Sequence, residues 1–242
     1  MDTITLKLTL RLDSDFHTGT GYGIKGQADA MQMTERLADG KERPIIPRRE
    51  FRGRLRDRLE YLCELMKLDK CDGEYREGNG STEDDKAMHM CGVDVHLDVE
   101  PCPICRIFGS PGMPRGFDFS DLQVCGEQDL ADQHHVSIDP DTGRAAGDHF
   151  FIFQVARTDE LTATITETFA HEHGYALATR EQDALLLIGA LRLLRRIGGK
   201  TRRGLGRCVV DNISGLPPQC TSISDAIGRL KTEVLQKCTA SS

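Results

Sequence analysis

Between Ile197 and Arg207, four glycines (Gly198, Gly199, Gly204, Gly206) share eleven positions with four basic residues (Lys200, Arg202, Arg203, Arg207). Glycine lets a backbone approach a ligand closely and turn its amides outward, and the cations add positive charge. The combination suits a phosphodiester backbone or another polyanion. A nucleotide-triphosphate loop is the first rival, because Gly199-Lys200-Thr201 reads like the end of one. That loop needs a glycine five residues before Gly199, where this chain has Leu194. A helix-to-strand turn with glycine caps would explain two of the glycines, not four interleaved with cations. A second glycine-rich stretch, His17-Thr18-Gly19-Thr20-Gly21, carries one histidine at a strand end. Contact of His17, Gly19 and Gly21 with a ligand backbone is expected there, against the plainer reading of a surface histidine.

The third group is sulfur-rich. Cys102-Pro103-Ile104-Cys105 follows His89-Met90-Cys91 at loop distance. Thiolates and an imidazole at this spacing match a tetrahedral Zn²⁺ site made of His89, Cys91, Cys102 and Cys105, with His96 as the alternative fourth ligand. A redox Cys-x-x-Cys would open a helix behind a buried strand, and here an acidic loop precedes it. A hydrolytic zinc would need an open position beside a base, whereas thiolate-rich shells are mostly closed structural ones. The expectation is a structural staple in a segment too polar to fold around its own core.

The elements that must hold these groups are legible in part. Residues 3 to 12 alternate, with Ile4, Leu6, Leu8, Leu10 and Leu12 on one face, and predict a half-buried strand. From Ile24 to Arg43 the chain is polar and aperiodic and carries Asp29, Glu35 and Asp39; a loop that long tends to be functional or disordered. Pro47 opens a helix whose stripe is Phe51, Leu55, Leu59, Leu62 and Met66. Arg48, Arg49 and Arg52 lie at its start, where the helix N-terminus also favours an anion. Residues 69 to 100 read as an acidic inserted loop.

Phe117, Phe119 and Val124 suggest a short strand, and His134-His135 reads as surface. The run Phe150 to Val155 reads as a strand buried on both sides, paired antiparallel with Leu161 to Phe169. A leucine-rich helix from Glu181 to Arg196 feeds the glycine loop, Cys208-Val209-Val210 is the exit strand, and Ile223 to Cys238 forms a last amphipathic helix. The order fits an α+β, ferredoxin-like (βαββαβ) core with large insertions.

Bulk properties narrow the function. At 242 residues the chain can bury a substantial core, no stretch approaches a membrane span, and nothing at Met1-Asp2-Thr3-Ile4 begins a signal-peptide pattern, so a cytoplasmic protein without a membrane partner is expected. Nine cysteines are then thiols or metal ligands rather than disulfides. The net charge of −7 argues against a protein that coats nucleic acid non-specifically. The distribution tells more: 15 of the 31 Lys and Arg fall in 41–58 and 192–207, while ten acids fall in 69–100. Local patches decide nucleic-acid contacts.

Taken in order, His17-x-Gly-x-Gly, Ile46-Pro47 before an Arg-rich helix, Cys102-x-x-Cys105-Arg-x-Phe-Gly109, Phe119-Ser120-Asp121, Ile138-Asp139-Pro140-x-Thr142-Gly143 and the Gly198 to Gly206 loop closely resemble the RAMP superfamily of CRISPR-associated proteins. The resemblance spans roughly residues 3 to 210 and looks most like the repeated backbone (filament) subunit of type III, Csm-type or Cmr-type, effector complexes. It implies a single modified RNA-recognition-like domain over 1–242, with its core at about 3–66 and 176–212. An inserted loop with the zinc clip would occupy 67–115, further strands and a β-hairpin "thumb" 116–175, and a C-terminal helix 217–242.

Such subunits stack head to tail on a crRNA, and the thumb, most of it within 134–170, displaces a base between guide and target. Partners implied are crRNA, target single-stranded RNA, copies of itself, the large polymerase-like subunit, the small subunit and other RAMP subunits. The implied activity is metal-dependent endoribonucleolytic cleavage of target RNA with Mg²⁺ or Mn²⁺. Asp29 stands at the matching catalytic position and Asp39 is the substitute.

In the implied RNA-binding set are His17, Gly19, Gly21, Arg48, Arg49, Arg52, Gly198, Gly199, Lys200, Arg202, Arg203 and Gly204. The family's Gly-Ser-Ser-x-Lys-Gly after Ile-Pro is replaced by Arg48-Arg49-Glu50-Phe51-Arg52-Gly53, so guide contacts shift from small hydroxyls to guanidinium–phosphate pairs. Two other readings stay open: a crRNA-binding scaffold that never cuts, and a stand-alone endoribonuclease that processes precursor crRNA.

Overall fold

In chain order the elements are β1 (Thr5–Leu12), β2 (Thr34–Arg36), β3 (Glu42–Ile46), α1 (Arg48–Leu65), β4 (Tyr75–Glu77), β5 (Lys86–Met88) and α2 (Pro103–Phe108). They continue with β6 (Phe117–Phe119), β7 (Leu122–Cys125), β8 (Asp129–Ile138), β9 (Ala145–Arg157), β10 (Glu160–Glu167), α3 (Arg180–Leu193), β11 (Cys208–Ser214) and α4 (Ile223–Ala240). This computed structural model describes residues 3–25, 27–68, 70–71, 75–77, 86–88, 91, 101–111, 113–168, 179–217 and 220–240; of these, 75–77, 86–88, 146–149 and 233–240 are described by their backbone.

The leucine alternation of β1 does what its period dictates: Leu6, Leu8, Leu10 and Leu12 are all buried, each stabilising the fold by about 1.5–3 kcal/mol. β1 sits between β11 and β10, and the register Leu8↔Ala163 and Leu10↔Leu161 puts apolar side chains on one face. The sheet runs β11-β1-β10-β7-β3-β2, with β6 also pairing β10, and every pairing is antiparallel. With α1 and α3 as the two connecting helices, β11-β1-β10-β7 is the ferredoxin-like order that the chain's pattern predicted.

The helices cover the leucine face. α1 buries Phe51, Leu55, Leu59 and Cys63, with Leu62 and Met66 packed at the margin. α3 buries Ala184 through Leu191 without interruption. Gly189 in its middle costs helix propensity, but a Cβ there would come 2.8 Å from Leu62 and 2.9 Å from Leu230, so the glycine lets α1 and α4 close on α3. Two ion pairs are sealed in this layer, Arg106 with Asp183 and Arg180 with Glu167. Removing one partner of such a pair costs about 3–5 kcal/mol, because the other charge stays buried.

Two strand expectations are corrected. β9 does not pair with β10. It pairs with β8 from Asp129↔Arg157 to Ile138↔Ala145, closed by a turn in which Asp139 Oδ1 accepts the Asp141 and Thr142 amides. β10 has its two edges taken by β1 and by β6 and β7, leaving β9 to form a separate ribbon. An alternating pattern states which face is apolar, not which strand lies beside it. Burial on both sides of β9 holds only over 153–156, where Phe153, Gln154, Val155 and Ala156 are all buried, and is lost toward Phe150, which is 59% exposed. The stretch 24–43 is also more ordered than its polarity suggests: β2 and β3 pair, and residues 18–33 fold back on themselves through Thr20 N to Met31 O and Met33 N to Thr18 O. Of the inward set on β10, Leu161, Ala163 and Ile165 are buried, while Phe169 lies outside the described residues.

Candidate nucleic-acid interface and thiol cluster

The glycine loop is shaped by a short ladder after α3. Arg196 bridges Arg207, and Ile197 N donates to Gly206 O at 2.8 Å. Gly206 has φ +67, and a Cβ on it would fall 1.7 Å from Ile197 O, so no other residue fits without moving the backbone. Gly198 and Gly199 press against the main chain of His17: Gly199 N donates to His17 O at 2.6 Å, and a Cβ on Gly198 would meet that oxygen at 2.8 Å. Arg54 of α1 donates to Gly198 O at 2.8 Å. Lys200 is left-handed (φ +53), an uncommon state for a non-glycine residue, and opens a single turn over Thr201–Arg203 that Gly204 ends at φ +92.

His17 is where three segments meet. It is 4% exposed, its carbonyl holds the glycine loop, and its Nδ1 lies 2.6 Å from the Gln154 carbonyl of β9. A carbonyl accepts only, so Nδ1 carries the proton and Nε2 keeps its lone pair. Burial lowers the His17 pKa, helped by Lys200 and opposed by the Gln154 hydrogen bond. Gln154 and Gln32 continue the buried network: Gln32 N donates to Gln154 Oε1, and Thr18 N donates to Gln32 Oε1.

The glycine loop also lies against the ribbon. Lys200 Nζ stands 4.5 Å from the Phe153 ring centre, and the Arg203 guanidinium 4.9 Å from that of Phe151. His135 stacks on both rings from β8 at 4.6 Å and 5.2 Å, so it is not the free surface histidine expected from its doublet. His134 stacks on Phe150 on the opposite face. Burial, and after it the neighbouring Arg203 charge, lowers the Lys200 pKa. Arg202 and Gly204 are exposed at its rim, as are Gly19 and Gly21 on the neighbouring loop.

Asp29 is exposed and bound to the ribbon: its amide donates to Ile152 O at 2.8 Å and its Oδ2 accepts from Ile152 N at 2.7 Å. Asp39 instead serves its own turn between β2 and β3, accepting from Lys41 N at 3.0 Å. Arg48, Arg49 and Arg52 are exposed on the first turns of α1. A depression of about 370 Å³ lies on the open face of the sheet and is lined by Lys7, Thr9, Gln123, Thr162, Thr164 and Asn212. None of these can stack on a base, and the charge collects elsewhere.

The sulfur site brings the expected Cys91, Cys102 and Cys105 together with Cys71. Sγ atoms of Cys71, Cys91, Cys102 and Cys105 all lie within 4.8 Å of one another, with Cys71 3.6 Å from Cys102 and 3.3 Å from Cys105. A zinc held by four thiolates at about 2.3 Å sets its sulfurs about 3.8 Å apart. These positions therefore fit one tetrahedral ion, whereas an iron–sulfur cluster spreads its cysteines around several irons. The hydrogen bond between Cys102 and Cys105 lowers the pKa of Cys102, against the cost of burial, and raises that of Cys105. Among the described residues the fourth sulfur is that of Cys71; His89 and His96 lie outside the described residues. Cys71 stands 20 residues before Cys91, the next thiol of the cluster, and gave no spacing signal. Arg106, next to Cys105, pairs with Asp183 and donates to Pro101 O, tying the thiols to α3.

Among the described residues, no helix is long and apolar enough to cross a membrane. A sequence-family model described as the RAMP superfamily matches residues 9–209, a span containing the glycine loop, His17, the ribbon and the thiols. No curated protein matches the chain.

Proposed function

The chain belongs to the RAMP superfamily, whose members are CRISPR-associated and bind RNA, and we propose that it is the crRNA-binding backbone subunit of a type III interference complex and cleaves the bound target RNA. The observation that carries the reading is the junction at His17, where the glycine loop, the first-strand loop and the β8–β9 ribbon are hydrogen-bonded into one basic surface. The side chains of Lys200, Arg202 and Arg203 would hold the guide's phosphates where the backbone at Gly198 to Gly204 lets RNA come close, the Gly199, Arg203 and Gly204 amides being spent within the protein; Arg48, Arg49 and Arg52 would extend that grip. Such contacts read backbone shape and leave sequence to base pairing.

In this reading the ribbon is the thumb that enters between guide and target. Asp29 rides on it through Ile152, so the carboxylate travels to the displaced nucleotide with the strand that displaces it. Its second oxygen would help hold Mg²⁺ or Mn²⁺, which activates the attacking oxygen when bound. The neighbours would be further copies of this chain and the large, small and other RAMP subunits of the complex. The four thiols would hold a structural zinc that keeps 101–115 in place.

The test is target cleavage by the assembled complex with Mg²⁺, as wild type, Asp29→Ala and Asp29→Asn. Regularly spaced cuts from the wild type alone support the assignment; equal cutting by Asp29→Asn removes it and leaves a binding scaffold. A second reading has one observation behind it: neutral His17 presents a lone pair on Nε2 within electrostatic reach of Lys200, the pairing a metal-independent ribonuclease would use on precursor crRNA. Cleavage that survives a chelator and disappears in His17→Ala would favour it.

A further inference from the structure

Beside the start of α1 lies a depression of about 100 Å³ lined by Arg48, Arg49, Arg52, Arg115, Asp118 and Phe119. Four guanidiniums face one carboxylate. Arg115 pairs with that carboxylate at 2.5 Å, while Arg48, Arg49 and Arg52 have no ion-pair partner among the described residues. The amide at the helix start is already taken, since Arg48 N donates to Asp121 Oδ1 at 2.7 Å. Attraction for an anion therefore rests on the side chains. Like charges gathered around a hollow repel one another until a counter-charge enters, and guanidinium is the cation best shaped for phosphate oxygens.

The hollow has a firm frame. Its floor is Phe119, 6% exposed, stacked on Phe108 at 5.5 Å and edge-on to Phe51 at 6.1 Å. Arg115 is fixed at its backbone: Thr168 Oγ1 donates to Arg115 O at 2.9 Å, and Gly116 N donates to Ile107 O at 3.2 Å. Gly109, at φ +80, favours glycine by its backbone, and a Cβ there would stand tightly, 3.0 Å from Arg115 N. Its size is well below the several hundred Å³ of a site that encloses a whole small molecule, so a single phosphate group fits and a nucleobase does not. None of its lining residues belongs to the glycine loop, which α1 reaches separately, one turn later, through Arg54.

We propose that Arg115 joins Arg48, Arg49 and Arg52 in a second phosphodiester site for RNA, distinct from the glycine loop, with α1 bridging the two. The site rests on the RNA-binding reading above and adds to it a residue, Arg115, that sequence pattern did not single out. Asp118 is its gate: it holds Arg115 until phosphate competes for the guanidinium.

The test is fluorescence anisotropy of a labelled single-stranded oligoribonucleotide with 5′-hydroxyl ends, titrated with the full-length chain over a range of salt. Arg115→Ala is expected to weaken binding about five- to tenfold and to lower the slope of log affinity against log salt by about 0.7, the loss of one phosphate contact on a single strand. Arg115→Lys should recover part of the affinity, and Asp118→Asn should hold or raise it. Lys200→Ala serves as the glycine-loop comparison. Unchanged affinity and slope in Arg115→Ala, while Lys200→Ala weakens binding, would overturn the second site and leave the RNA reading standing. A weakening accompanied by a lower melting temperature and not recovered by Arg115→Lys would also overturn it. No binding by the wild type would remove the underlying reading itself.

Discussion

Asp29 and His17 show how one side chain can serve structure and chemistry together. Asp29→Ala removes a charge and also the clamp on Ile152, so loss of cleavage in that variant has two explanations. Asp29→Asn keeps an acceptor for the Ile152 amide and removes the charge alone; it should retain RNA binding and lose metal-dependent cutting. His17 makes a different prediction. Burial lowers its pKa, so the unfolded chain binds the extra proton more readily than the folded one. Its contribution to stability is then full above about pH 6.5, the ordinary histidine value, and fades as the pH falls below it. His17→Gln should flatten that part of the stability profile, read as the difference in melting temperature between variant and wild type at pH 7.5 and at pH 5.5. A parallel offset at both pH values would mean His17 does not titrate in the fold.

Elements were legible where a period and a partner are both local. The β1 alternation, the α1 stripe and the leucines of α3 state their own burial, and the glycine loop was visible as composition. Pairing was harder. β9 has the same alternation whether it lies beside β8 or β10, and only the occupied edges of β10 decide the matter. The folded-back segment 18–33 escaped because main-chain hydrogen bonds hold it, and these leave no trace in side-chain pattern.

Cys71 was missed for the same reason: spacing reports ligands close in sequence, while the fold supplies the distant one. The four-thiol site predicts bound zinc in the purified chain, lost from Cys71→Ser and Cys102→Ser and kept by His89→Ala, as read by elemental analysis. Zinc retained by Cys71→Ser would return the fourth place to another residue. The glycine loop carries its own prediction. Gly206→Ala should destabilise the fold by at least the roughly 1–3 kcal/mol of a strained backbone position, seen as a lower urea midpoint, because its Cβ would strike Ile197 O.

At the scale of the molecule, a chain of net charge −7 offers RNA a surface built from two basic windows, and the fold explains how they meet. Arg54, on the helix of the first window, reaches Gly198 in the second, and β9 supplies the aromatic wall for Lys200 and Arg203. The acidic stretch lies in the insertion between α1 and α2. Binding should accordingly be steep in salt and should fail when the basic seam is cut rather than when net charge is changed elsewhere.

The most direct measurement is recovery of RNA from the chain expressed with a CRISPR array and its partner subunits, as wild type and as Lys200→Ala with Arg203→Ala. Guide-length RNA on the wild type, and little on the double variant, is the predicted result. Equal recovery from both would contradict the glycine-loop assignment, and absence of small RNA from the wild type would contradict the function.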